Sequence, residues 1–78
     1  REHALLKRSA MLWARSLGAS DAKEEEWCAV GRADVYSAAH RWVIECGNTP
    51  IKKLVDAVRS EQQPRFTLVP YQRCPSSL

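Results

Sequence analysis

Glycine is scarce in this sequence, with three in 78 residues. That scarcity removes the Gly-rich phosphate loops: neither G-x-x-x-x-G-K nor G-x-S-x-G occurs. Close-paired ligands are missing too. There is no C-x-x-C and no H-x-x-x-H, the pairs that structural zinc sites use, so neither a metal nor a cofactor is expected. Histidine is limited to His3 and His40, and His40 does not stand at the i,i+4 spacing that would set it beside Cys46. With no paired-carboxylate signature either, no enzymatic activity is expected. The three cysteines, Cys28, Cys46 and Cys74, are odd in number and irregular in spacing, which does not describe a disulfide framework. Free thiols in a reducing, intracellular compartment, cytoplasmic or nuclear, are the simpler expectation. No apolar run approaches the roughly 18 residues of a membrane span, and no charged-then-apolar leader is visible, so no membrane association is expected. Arg1 in place of an initiator Met suggests an excised or processed piece.

The residues that are present describe an ordinary globular chain. Apolar residues make up 45% and charged residues 27%, too hydrophobic for a wholly disordered segment. A chain of this length buries a modest fraction of its surface and is expected to be marginally stable. Twelve basic residues face nine acidic ones, a net charge of +3, but the longest basic runs are pairs. Nucleic acid is compatible with that balance and not demanded by it.

Helical periodicity dominates the pass along the chain. Leu6, Ala10, Trp13 and Leu17 recur in steps of four, three and four, which predicts a helix over residues 2–17 closed by Gly18. Asp21 or Ser20 can cap, and Glu24 three residues after Asp21 has capping-box spacing, which predicts a short second helix over about 21–30. Asp34 reads as the cap of a third, with Val35, Ala38 or Ala39, Trp42 and Cys46 on one side. Gly47, Thr49 and Pro50 then punctuate a corner, and Ile51, Leu54, Val55 and Val58 form the apolar side of a fourth helix. Beyond it, three prolines in "EQQPRFTLVPYQRCPSSL" exclude a long helix, and "RFTLVPY" reads as extended with Phe66 and Leu68 on one side. The expected fold is therefore all-α: a compact bundle of about four main helices over residues 1–63 and an extended, proline-containing C-terminal arm over 64–78.

"LWARSLGAS" followed by "AAHRWVIECGNTPIKKLVDAVRS" resembles the death-domain family of small helical interaction modules. The likeness rests on "ARSLGAS" as a first-helix end, on Ala38 and Trp42 in a later helix, on the step from Trp42 to Leu54, and on "LVDAVRS". It spans about Trp13 to Ser60, while the stretch between Gly18 and Val35 is short for that family and its sixth helix has no counterpart. The resemblance implies a signalling or adaptor role.

The function expected is protein–protein recognition through charged helical faces, Glu24, Glu25 and Glu26 on one and Lys52, Lys53 and Arg59 on another. The partner would be another protein, with a homotypic helical domain as one candidate. The alternative is a small basic nucleic-acid-binding domain that aims Lys52, Lys53 and Arg59 of the last helix at phosphates. A third reading makes "PRFTLVPYQR" a linear motif captured by a partner. Trp27, after three glutamates, reads as an aromatic at the rim of the core and a candidate contact anchor.

Overall fold

Helix α1, Glu2–Ser16, is built from strong helix formers, with Glu2 near its positive end and Arg15 near its negative end. It stops where the sequence says it should. Gly18 takes φ +109°, the Ala19 N–H donates to the Ala14 carbonyl and the Gly18 N–H to the Arg15 carbonyl, the paired bonds that close a helix on a left-handed glycine. The structure, a computed structural model, describes residues 2–28, 31–47, 51–59 and 64–70.

The all-α expectation is overturned after Gly18. Strands β1 (Lys23–Cys28), β2 (Gly31–Ser37) and β3 (Trp42–Cys46) form an antiparallel meander. Helix α2 (Ile51–Arg59) then carries the chain to β4 (Arg65–Val69), which pairs parallel with β3. Among the described residues the result is a two-helix α/β fold with a four-stranded mixed sheet in the order β1-β2-β3-β4. The second and third expected helices are strands, so the death-domain resemblance does not hold. Its Ala38 lies in the turn between β2 and β3 and its Trp42 opens β3. Residues 65–69, expected in a separate arm, are a strand of the same sheet.

The physical reason is visible in the burial. Ala33, Val35 and Ser37 are buried and alternate with more exposed Arg32, Asp34 and Tyr36, a period of two. All five residues of β3 are buried, as befits an interior strand covered on both faces. Val35, Trp42, Ile44 and Cys46 pack against Ala10, Met11 and Ala14 of α1. Of the expected stripe on α1, Ala10 is buried and Leu6 packs against the core, whereas Trp13 and Leu17 are exposed and Met11 and Ala14 are buried in their place.

Trp42 anchors the junction. Its indole N–H donates to the Thr67 hydroxyl at 2.9 Å, the Arg65 guanidinium lies 4.4 Å from its ring centre, and Trp13 meets it edge-on at 5.4 Å. β4 is thereby tied to β3 by side chains as well as by the ladder. On the other face, α2 lies beside Phe66 and Leu68 across a groove of about 230 Å³ lined also by Leu54 and Val58. Gly47, with φ +80°, ends a strand and not the helix expected before it. The rest of the expected corner, residues 48–50, lies outside the described residues, as does Cys74. Cys28 and Cys46 are free thiols.

Candidate functional site

Ligands of open α/β sheets bind outside the carboxyl ends of parallel strands, where crossover helices begin. In this fold that place is the Cys46 end of β3, where Asp34, Glu45, His3 and Lys53 are found. Continuing the registers Glu24↔Val35 and Val35↔Ile44 by one residue puts Glu25, Asp34 and Glu45 in one row across three neighbouring strands. Each carboxylate meets a cation or a histidine.

Glu45 is the most confined of the three, with its side chain 6% exposed. Its Oε1 accepts from Lys53 Nζ at 2.9 Å and its Oε2 from the Asp34 backbone N–H at 3.2 Å. Lys53 also donates to the Arg32 carbonyl, so one ammonium from α2 clasps β2 and β3 together. Asp34 Oδ2 accepts the Cys46 backbone N–H at 2.8 Å. The two carboxylates therefore bridge the end of the β2–β3 ladder, each bonding the other strand's backbone.

His3, from the first turn of α1, closes the cluster. Its Nε2 is 3.4 Å from Asp34 Oδ2 and 3.2 Å from the Cys46 carbonyl oxygen. A carbonyl can only accept, so Nε2 carries the proton there. A single N–H thus points between a carboxylate and a carbonyl, with Glu45 on the adjoining strand.

Glu25 stands at the outer end of the row with φ +56°, a left-handed conformation uncommon for a residue with a Cβ. It accepts from Lys7 and pairs with Arg32 at 2.6 Å. The hydrogen bond from Lys7 holds the Glu25 carboxyl below its ordinary range, and the same bond raises the Lys7 ammonium. Burial, reinforced by Asp34 and Glu45, pushes the Cys46 thiol up to about 11. Cys46 is therefore a protonated core residue at neutral pH and not a nucleophile.

The charged residues singled out in the sequence divide. Glu25 and Lys53 join the cluster, linked through Arg32. Glu24 is half-buried and pairs with Arg8 at 2.7 Å, Glu26 is half-buried opposite Ala33, and Lys52 pairs with Asp56 at 3.0 Å. Arg59 is exposed in the last turn of α2. By sequence pattern Asp34 reads as a helix cap, and neither Glu45 nor His3 stands out as a site residue. One signal was available: a glutamate enclosed by apolar residues in "WVIEC" is costly unless the fold gives it a partner.

Among the described residues no three His, Cys, Asp or Glu side chains come close enough to cage a metal ion by themselves. The oxygens of Asp34, Glu45 and the Cys46 carbonyl are nevertheless the hard donors that a magnesium-like cation takes, and such a cation completes its shell with water and substrate phosphate. An apolar groove of about 380 Å³ between α1 and β4, lined by Leu6, Trp13, Leu68 and Val69 among others, holds none of these groups. The chemistry and that concavity lie apart.

No family model, no curated protein and no solved structure matches this chain.

Proposed function

We propose that the Cys46 end of β3 is a divalent-cation-dependent site for hydrolysis of phosphodiester bonds in nucleic acid. The observation that supports this reading most is the end of the β2–β3 ladder, where the His3 N–H lies between Asp34 and the Cys46 carbonyl and Glu45, bonded to the Asp34 backbone, holds Lys53. Carboxylate and carbonyl oxygens from two adjacent strands suit a hard cation, and an ammonium beside them suits the phosphate it would share.

A divalent cation held there supplies Lewis-acid stabilisation of the charge on the phosphoryl group and lowers the pKa of water. The chain's own residues do the rest. Asp34 and Glu45 would bind and orient, held in place by their bonds to the opposite strand's backbone. Lys53 is placed to share its protons between Glu45 and a phosphate oxygen. His3 covers the Asp34 and Cys46 oxygens and must give way when they take a cation. The net charge of +3 favours a polyanion in general terms. This reading departs from the expectation of a chain without enzymatic activity, which rested on the lack of short spaced motifs. Here the residues come from α1, β2, β3 and α2, and no local spacing announces them.

The test is cleavage of an end-labelled oligonucleotide with Mg²⁺ or Mn²⁺ and with EDTA. Asp34→Asn and Glu45→Gln are each expected to lower the rate by about 100-fold or more, since each removes a charged ligand. Cleavage that persists in EDTA, or that ignores Asp34→Asn in a variant of parental melting temperature, would overturn the reading.

Protein recognition is the second reading, favoured by the exposed apolar side of α2. Val58 is 81% exposed and Val55 38%, on the helix that also bears Lys52, Lys53 and Arg59. An amphipathic helix of that kind is a common contact surface. Glu24, Glu25 and Glu26 would then serve as its acidic counterpart. The two readings part on Asp34→Asn, which leaves α2 untouched and would spare recognition by a partner. An intracellular location is a proposal as well, supported by the free thiols of Cys28 and Cys46. No helix among the described residues is long and apolar enough to cross a membrane.

A further inference from the structure

The geometry points to Trp27 as a stacking platform for an unpaired nucleobase, which makes single-stranded nucleic acid the substrate class of the site. This inference rests on the phosphodiester reading given above. Its ground is the placement of one exposed aromatic. Trp27 is 76% exposed, whereas Trp42 is buried at 3% and Trp13 is engaged edge-on with it. Single exposed apolar side chains are ordinary on protein surfaces and by themselves mean nothing.

The surroundings of Trp27 are not ordinary. It pairs across the β1–β2 ladder with Arg32, so the two side chains share a face of the sheet. Alternation along β2 puts Asp34 on that same face, two residues or about 7 Å from Arg32. Arg32 is itself wired into the cluster: its guanidinium pairs with Glu25, and its carbonyl accepts from Lys53. An indole and a guanidinium therefore lie side by side about one nucleotide's reach from the carboxylates.

Every base offers a π-face, and an indole can stack on one without reading its sequence. The base must first be free of a partner. In a duplex the base faces are already occupied by their neighbours, so a flat platform beside the phosphate site rewards strands whose bases are unpaired. Arg32, 58% exposed, adds a cation next to the backbone of the same nucleotide. The proposed occupant is thus the base flanking the bound phosphate, with Trp27 beneath it and Arg32 on its phosphate.

The test measures binding and not turnover. Fluorescence anisotropy of a labelled single-stranded oligonucleotide and of a hairpin duplex, both in EDTA, separates the platform from the hydrolysis. Trp27→Ala is expected to weaken single-strand binding on the order of 5- to 150-fold, the range of one lost base stack, with little change for the duplex. Trp27→Phe should keep most of the affinity. Parental single-strand affinity in Trp27→Ala, or an equal loss on the duplex, would overturn the proposal. Because the side chain is largely solvent-exposed, all three proteins should melt together, and a variant that does not is replaced by Trp27→Phe against Trp27→Leu. Cleavage with no dependence of binding on Trp27 would sink the platform and leave the hydrolytic reading. Trp27-dependent binding with no cleavage in any divalent cation would do the reverse.

Discussion

Asp21 shows how one side chain fixes a turn that the sequence reading assigned to a helix. Its carboxylate accepts from the Ser37 hydroxyl and from the Ala39 backbone N–H at 2.8 Å, pinning the exit of β2 and the start of the turn before β3. Those bonds, the Ser37 hydroxyl foremost, hold the Asp21 carboxyl below its ordinary value of 3.8. A depressed folded-state pKa gives stability that is present above the unfolded value and lost as pH falls through the folded one. Stability should therefore decline below about pH 4 in part through Asp21. Asp21→Ala is expected to flatten that acid limb while lowering the plateau near pH 7, which chemical denaturation at several pH values can read. A parallel shift of the whole curve would assign the acid loss to other carboxylates. In sequence, Asp21 and Glu24 have the spacing of a capping box, and nothing local reveals that the partners of Asp21 lie 16 and 18 residues away. Asp34 escapes a local reading for the same reason, since its bonds to Cys46 and His3 span 12 and 31 residues.

At the scale of elements, α1, its Gly18 stop and α2 were legible because helix formers, three-and-four periodicity and a left-handed glycine act within a few residues. β1 was not. "KEEEWC" opens with four residues depleted in strands, and it stays extended because β2 supplies its ladder while Lys7 and Arg8 of α1 receive Glu25 and Glu24. β3 presented an apolar run too short to separate strand from buried helix by periodicity, although Val43 and Ile44 carried the β-branched signal. The apolar side of α1 was legible in part: Leu6 and Ala10 face the core as their spacing implies, but Met11 and Ala14 complete the buried stripe and Trp13 and Leu17 stay exposed. Ala10 and Ala14 are buried against the sheet, Ala14 with no exposure at all. Small residues on that stripe allow the helix to sit close. Ala14→Leu should therefore overpack the interface and cost about 1 to 3 kcal/mol. Urea unfolding should show a lower midpoint at unchanged slope, whereas an unchanged midpoint would mean that the helix can lift away without penalty.

For the whole molecule, the decisive information was the pairing of strands distant in sequence, and no composition or spacing encodes that directly. The candidate site is assembled by the same pairing: His3 and Asp34 are 31 residues apart, and His3 and Cys46 are 43. The meander β1-β2-β3 closes through short connections, but β4 returns to β3 only after α2, along the connection that also supplies Lys53. Closing the longer loop has the greater entropic cost, and among the described residues β4 is paired in the sheet with β3 alone. The amides of β4 should therefore exchange with deuterium earlier than those of β2, which has a paired strand on each side. Equal protection across the sheet, measured by mass spectrometry of protein digested after labelling, would contradict this ordering. The parallel crossover then acquires a temporal meaning. By the same entropic ordering the meander is expected to zip before the crossover, so that the Asp34 and Glu45 pair forms early and Lys53 arrives with the final segment. Any fleeting release of that segment would leave two carboxylates side by side without their ammonium.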